Sequence, residues 1–355
     1  AASDVYKRQD AYGETNQKQT GFKRQLILAA DILEECVAMN LDAKAPDKQE
    51  RREFERKCMA MGISVKDIKL VDGKRREILV TAKTFMKGCV SERVLRETVS
   101  SVFKAKFFSN QDNRVIINEE PNQYVFYQED RFRILSGMAR KCKEAENTSG
   151  DNFLLKRLGC GKMVAAIADG CGSGRRAFAE SRMVIELMEN CIEAGFEEKT
   201  AIDLINSAYI AGTTFNNPVT MDMSIIDCQA GVINCIKLGA VSTFIKRDNW
   251  VEIIKSTTLP MGVLEQVDYD CTTKKLYDGN YIIMISDGVL DNLSGINKEE
   301  QMVEIINNIN VKKPASIAKK ILEMSLKNHN MEAFDDCTVM VCLLYTSPSP
   351  RDTER

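Results

Sequence analysis

Aspartates at a few spacings in the second half of the chain are the residues best suited to chemistry. Asp169 closes an apolar run and opens a glycine-rich turn in "MVAAIADGCGSGRRA", residues 163–177. A second Asp-Gly follows another apolar run, "YIIMISDGVLDN", with Asp287 in the same position relative to its strand. Asp335-Asp336 stands just before the last apolar run, and Asp151 follows Ser149-Gly150. Carboxylates that converge from several strand ends repel one another unless a counter-ion joins them. Mg²⁺ and Mn²⁺ are hard cations that take carboxylate, carbonyl and water oxygens, and would fill that role. Taken singly, an Asp-Gly pair is only a turn.

Two rival chemistries use the same region. Gly172-x-Gly174-x-x-Ala177 fits the relaxed dinucleotide fingerprint, in which glycines lead a strand into a helix N-terminus. That fold needs an acidic residue at the end of a second strand about twenty residues on, where "MENCIEAGFEE" reads as helix and loop. Asp268-Tyr-Asp270-Cys-Thr272 spells D-x-D-x-T, the nucleophile motif of haloacid-dehalogenase-type phosphatases, with Asp287 and Asp291 as a late acidic pair. The two motifs lie too close together to enclose an α/β core. The only histidine, His329, lies in the polar "LKNHN", which excludes histidine-rich zinc sites and leaves a Ser-His-Asp triad without a credible base. No cysteine has an arginine six positions on, so a cysteine-nucleophile phosphatase loop is absent as well. Catalysis would rest on carboxylates, a metal, or both.

Composition agrees with an ordinary globular chain. It has 355 residues, 44% hydrophobic and 28% charged, with a formal net charge of −2, which is enough apolar material for two cores. The near-neutral balance gives no reason to expect nucleic acid, and no basic run suggests a membrane surface. No apolar stretch reaches the length of a spanning helix, and no signal peptide opens the sequence. The twelve cysteines are scattered without a C-x-x-C, as expected of reduced cytosolic thiols.

The periodicity divides the chain. "AASDVYKRQ" and "YTSPSPRDTER" carry no pattern and resemble adapter-derived tails, so 1–20 is taken as tail and linker and 346–355 as tail. A small α+β module is expected over 21–140. It starts with an amphipathic helix from Gly21 to Leu41 and a second helix in "KQERREFERKCMAMG", stopped by Gly62. Strands around Asp72-Gly73, a helix capped by Ser91, and strands "RVIINEE" and "YVFYQ" complete it. No cluster of chemistry falls in it, so it reads as a regulatory or interaction domain. The polar "KCKEAENTSG" then leads into 141–345. There the strand "KMVAAIAD" precedes two helices over about 175–212, each ending on glycine (Gly195, Gly212). Six strands joined by short turns follow, hence antiparallel, then two helices and the strand "CTVMVCLL". This pattern predicts sheet packed on sheet, covered by helices.

Ser149-Gly150-Asp151, Asp169-Gly-x-Gly-x-Gly, Thr220-x-Asp222-x-Ser-Ile-Ile-Asp227, Ser286-Asp287-Gly288 and Asp335-Asp336-x-Thr338 occur in the order of the bacterial protein phosphatase 2C-like (PPM) family. "LPMGV" and "GAVSTFIKR" (239–247) resemble its sporulation-type serine phosphatases in particular. The resemblance covers 141–345 closely and the upstream module, as a cytoplasmic regulatory region, more loosely. It implies an α+β, four-layer αββα sandwich and a metal-dependent protein serine/threonine phosphatase. By the same resemblance Asp169 bridges two Mn²⁺ or Mg²⁺ ions, the Gly170 carbonyl and Asp151 complete one, and Asp287 and Asp335 hold the other. Asp335 is taken over Asp336 because it opens the motif. The ions would activate a water for in-line attack, so Asp169 and Asp287 carry catalysis without a protein nucleophile.

The nearby cations are Lys156, Arg157, Arg175 and Arg176, and the sequence does not choose among them; Arg176, just inside the helix after the glycine turn, is either the cation for the phosphate or a solvated first-turn residue. Lys237 is either phosphate-facing or a strand-surface lysine. The implied partner is a phosphorylated anti-sigma factor antagonist, whose dephosphorylation would release a sigma factor during sporulation. The module is a candidate surface for homo-oligomers. Membrane attachment would come only through a missing N-terminal region, which makes this chain the cytoplasmic fragment of a multi-pass parent. The rival of a different class is an inactive scaffold of the same fold, acting through 45–140.

Overall fold

The computed structural model describes residues 43–72, 75–85, 88–143, 148–158, 161–172, 174–211, 217–248, 250–327 and 331–346. The expected first helix, Gly73, Gly212 and His329 lie outside the described residues. The chain divides into two compact units, Met39–Arg131 with Gly159–Gly161, and Phe132–Leu158 with Lys162 onward.

The smaller unit contains β1 (Ala43–Lys44), α1 (Lys48–Ala60), β2 (Ile63–Asp72), β3 (Arg76–Thr84), β4 (Val90–Ser91), α2 (Glu92–Val102), β5 (Phe107–Ser109), β6 (Ile116–Ile117) and β7 (Asn122–Gln128). Asp47 starts α1 by accepting the Gln49 amide at 3.0 Å, and Ser91 starts α2 by accepting that of Arg93 at 3.3 Å. Such caps satisfy amides that the first helical turn leaves orphaned. Phe54 and Cys58 on α1, and Leu95, Val99 and Val102 on α2, repeat at helical spacing. They bury that face against Ile78, Val80, Tyr124 and Phe126 of an antiparallel sheet ordered β1-β2-β3-β7-β5. The expected strand "RVIINEE" shortens to Ile116–Ile117, which pairs with β4.

The larger unit begins with β8 (Phe132–Lys141), β9 (Asp151–Arg157) and β10 (Lys162–Gly170). Helices α3 (Gly174–Glu193) and α4 (Glu198–Ala211) follow. Then come β11 (Val219–Asp227), β12 (Val232–Leu238), β13 (Thr243–Lys246), β14 (Val251–Ile254), β15 (Asp270–Lys275) and β16 (Tyr281–Ile285). Helices α5 (Asp287–Asp291), α6 (Lys298–Asn307) and α7 (Pro314–Leu326) lead to β17 (Cys337–Thr346). Two five-stranded sheets form, β15-β12-β11-β10-β9 and β14-β13-β16-β17-β8, and every pairing in both is antiparallel.

The layers follow from alternation along the strands. Ala165, Ile167, Ile226, Ile233 and Cys235 of the first sheet meet Ile245, Ile282, Met284, Met340 and Cys342 of the second in one buried cluster. The opposite faces carry their own cores. Val164, Ala166, Met221 and Met223 pack with Val184, Met188, Ile202 and Ile205 of α3 and α4. Ile283, Ile285, Val339 and Val341 pack with Met302, Ile306, Ile317 and Ile321 of α6 and α7. This is the expected αββα sandwich.

The expected boundary between 140 and 141 moves upstream. All of β8 pairs with β17, from Phe132 opposite Thr346 to Lys141 opposite Cys337, so these residues are the outer strand of the second sheet. A glycine inside a charged, half-exposed segment reads as a breaker. Here Gly137 is a point of close approach instead, since a Cβ on it would lie 2.0 Å from the Ala315 amide nitrogen of α7. At the other end β17 continues through Tyr345 to Thr346, the first residue of the supposed tail. Among the described residues no helix is long and apolar enough to cross a membrane.

Candidate metal centre

Asp151 and Asp169 are direct cross-strand partners on β9 and β10. Two strands of the first sheet therefore deliver two carboxylates side by side. Asp169 faces Thr220 on its other flank, and Gly170 pairs with Val219. The chain then turns sharply through Gly172 (φ +97°) and Gly174 (φ +79°) into α3. Those angles belong to the left-handed region that glycine enters without penalty. Gly170 is needed for room, because a Cβ there would meet the Ala177 carbonyl oxygen at 2.3 Å. The glycines thus serve the turn, and the first turn of α3 packs directly on the backbone at Gly170.

The second sheet supplies the other acids. β16 runs into Asp287, the first residue of α5, and β17 starts just after Asp335-Asp336. Ser286 precedes α5 but does not cap it. Its hydroxyl donates to the Asp336 carbonyl at 3.2 Å and accepts the Thr338 amide at 2.8 Å, tying the two strand ends together.

Thr338 then crosses between sheets, donating its hydroxyl to Asp151 Oδ2 at 2.6 Å. Arg140 on β8 donates to the Asp151 carbonyl at 2.5 Å and to Thr338 Oγ1 at 3.3 Å. Asp151 is fully buried, and among the described residues its Oδ1 has no hydrogen-bond partner.

The two acids of the Asp-Asp pair divide their work. Asp336 is buried and accepts the Gly150 amide at 2.7 Å and the Lys143 amide at 2.9 Å, which fixes the segment leading to Asp151. Asp335 is half-buried, and its Oδ1 accepts only the neighbouring Asp336 amide, at 2.9 Å. Among the described residues its carboxylate makes no other hydrogen bond.

Electrostatics reflect the crowding. Burial, then the charges of Asp151, Asp287 and Asp335, push the Asp169 carboxyl up to about 9. Burial, aided by Asp287 and Asp336 and opposed by the Thr338 and Ser286 hydroxyls, raises Asp151 to about 7. Asp287 is raised by burial and by Asp335. Carboxylates that raise one another this way favour any cation that joins them.

Among the described residues no three His, Cys, Asp or Glu side chains are drawn into one ready coordination sphere. The donor set still fits a hard divalent ion. It is all oxygen, it includes the unpartnered Asp151 Oδ1, and its members repel one another.

The cations near this site take different places. Lys156 is held by Glu189 at 2.6 Å and Glu193 at 2.5 Å on α3. Arg176 pairs with the buried Glu180 one turn on, at 3.2 Å, while its own side chain stays 60% exposed. Arg175 is exposed. Lys237 is neither a surface lysine nor open to phosphate, because it is fully buried against Asp222 at 2.8 Å. Arg140 escaped sequence reading because β8 itself did. Asp336's clamp leaves no mark in the motif beyond its second acidic position.

The rival motif is ruled out by topology. Asp270 opens β15, the outer strand of the first sheet, and its Oδ2 accepts the Thr257 amide at 2.8 Å. A dehalogenase-type nucleophile needs the end of a central parallel strand, and among the described residues neither sheet has a parallel pair. The dinucleotide fold fails for the same reason.

Comparison with known proteins agrees with the topology. The family model for stage II sporulation protein E (SpoIIE) matches residues 159–344. Stage II sporulation protein E of Bacillus subtilis (strain 168) is 31% identical over 255 residues, 71% of this chain and 30% of that protein. The Priestia megaterium protein of the same name is 33% identical over 210 residues, 59% of this chain and 36% of its own length. The chain therefore spans about a third of the length of these relatives. A solved structure of the PP2C phosphatase domain and a fragment of the regulatory domain of the cell fate determinant SpoIIE from Bacillus subtilis aligns with a TM-score of 0.70 at 25% identity. It covers 94% of this chain and 97% of that one. Given its sandwich, its aspartate row and these likenesses, the chain belongs to the stage II sporulation protein E family, with a PP2C-like phosphatase fold.

Proposed function

We propose that the chain is a metal-dependent protein serine/threonine phosphatase. In this reading Asp151, Asp169, the Gly170 carbonyl, Asp287 and Asp335 would hold two Mn²⁺ or Mg²⁺ ions, with Asp169 as the residue shared between them. Bound there, a pair of divalent ions supplies an activated water and an electrostatic clamp on the phosphoryl oxygens. The observation that supports the reading is the cross-strand pair Asp151–Asp169 on one sheet, joined through the Thr338 hydroxyl to the strand ends of the other sheet that carry Asp287 and Asp335.

The chain's own residues do the positioning. Thr338 and Arg140 orient Asp151, Asp336 fixes the backbone before it, and Ser286 holds Asp287 beside the start of β17. Arg176 is the cation this reading uses for phosphate, exchanging Glu180 for phosphoryl oxygens from its exposed position in the first turn of α3.

The proposed substrate is a phosphorylated anti-sigma factor antagonist, in keeping with the sporulation proteins the chain resembles. The unit up to Arg131 is proposed as a regulatory module through which copies could associate. The localisation that goes with this is cytoplasmic, as part of a longer parent. What supports it is that the chain spans about a third of its relatives' length. The test is release of phosphate from a phosphoserine protein of the anti-sigma antagonist class, with and without Mn²⁺. Mn²⁺-dependent turnover is expected. Its absence at saturating Mn²⁺, with folded protein, would favour the inactive scaffold.

A further inference from the structure

Outside the aspartate row, the most deeply buried ion pair among the described residues is Lys237 with Asp222, whose side chains are 0% and 2% exposed and meet at 2.8 Å. Both lie between the sheets. Asp222 comes two residues after Thr220, the cross-strand partner of Asp169, and so occupies the next inward-facing position below the metal row. Lys237 is its cross-strand partner on β12.

The second sheet reaches across to the same carboxylate. Thr243, the first residue of β13, donates its hydroxyl to Asp222 Oδ2. Its neighbour Phe244 pairs with Ile283 on β16, the strand that runs into Asp287. Lys237 Nζ also donates to the Val241 carbonyl at 2.6 Å, in the segment that carries the chain from one sheet to the other.

We propose that Lys237, Asp222 and Thr243 are positioning residues for the metal centre. They form a directional clamp that sets the spacing between the Asp151–Asp169 pair on one sheet and the Asp287–Asp335 pair on the other. The inference rests on the two-ion reading above. The rest of the inter-sheet layer is mostly aliphatic, with Ala165, Ile167, Ile282 and Met284 among its members. Such contacts are non-directional and tolerate repacking at similar volume. A buried ion pair adds little net stability, since desolvation offsets its attraction, but it fixes one geometry. Among the described residues Asp222 Oδ1 is itself buried without a partner, so this pair is poorly explained as a device for stability alone. Metal ligands tolerate displacement of only about half an ångström.

The test uses the full chain and three variants: Thr243→Val, which deletes only the hydroxyl; Thr243→Ser, which keeps it; and the apolar pair Asp222→Leu with Lys237→Met. Mn²⁺ affinity is read by calorimetry, the separation of the two bound Mn²⁺ ions by electron paramagnetic resonance, and folding by thermal melting of the metal-free protein. Thr243→Val and the apolar pair are expected to melt near the wild type, to bind Mn²⁺ about 10-fold more weakly, and to show an altered Mn–Mn coupling. Thr243→Ser should match the wild type in all three. Folded Thr243→Val and apolar-pair proteins with wild-type affinity and coupling would overturn the clamp while leaving the metal reading intact. A wild-type chain that binds no Mn²⁺ would overturn both.

Discussion

Asp151 and Asp169 stand directly opposite each other across β9 and β10, and a threonine from the other sheet, Thr338, holds one oxygen of the pair. Two antiparallel neighbours thus present a buried pair of like charges, which is unfavourable by itself and useful only when something positive joins it.

This arrangement has a pH signature in chelator-treated protein. Asp151 and Asp169 are both raised from the ordinary 3.8, to about 7 and about 9. The folded chain therefore holds these protons more tightly than the unfolded chain. Their contribution favours folding at pH below the ordinary value and is lost as pH rises through the folded ones. Metal-free protein should melt at a higher temperature at pH 6 than at pH 9, and saturating Mn²⁺ should restore most of the difference. A melting temperature that rises between those pH values without metal would contradict the raised pair.

Thr338→Val keeps the shape and removes the hydroxyl from Asp151 Oδ2. Leaving that buried oxygen without its donor should cost about 1–3 kcal/mol, read from urea unfolding. Mn²⁺ affinity should fall about 10- to 100-fold, the usual loss when a ligand's supporting partner is removed. Thr338→Ser should recover most of both.

The layers were legible in the sequence because alternation and helical spacing state them directly. The run of strands from Val219 to Ile285 and the two helices after the metal turn are examples. The outer strands β8 and β9 were not. Each is half-exposed and mixes charged with apolar residues, and β8 carries a glycine that only the approach of Ala315 explains. The metal-site motifs were legible as acids at strand ends. The division of labour between Asp335 and Asp336, the burial of Lys237 and the place of Arg140 depend on partners far away in sequence, and no local pattern encodes them.

The corrected boundary makes its own prediction. A fragment 132–346 keeps β8 and should fold cooperatively, whereas 142–346 removes the outer neighbour of β17 along its whole length, leaves it paired only with β16 as an exposed edge, and should aggregate or melt far lower. Comparing the first fragment with the full chain also tests the proposed regulatory module. Weaker Mn²⁺ binding by the fragment is expected if the module favours the metal-competent state. Equal affinity would leave it a docking domain.

Asp169→Asn removes charge at the bridging position without changing volume. Turnover on a phosphoserine protein should fall below a few per cent of wild type while metal-free stability holds or rises, because a raised buried carboxylate is gone. Asp268→Asn should leave turnover unchanged. Loss of activity in Asp268→Asn with retention in Asp169→Asn would reverse the assignment.

The most direct measurement is to soak crystals of the protein with Mn²⁺ and collect anomalous diffraction at the manganese edge. Two peaks are expected, one against Asp151, Asp169 and the Gly170 carbonyl and the other against Asp169, Asp287 and Asp335. No peak on those carboxylates at saturating Mn²⁺, or peaks only at surface acids elsewhere, would contradict the two-ion centre.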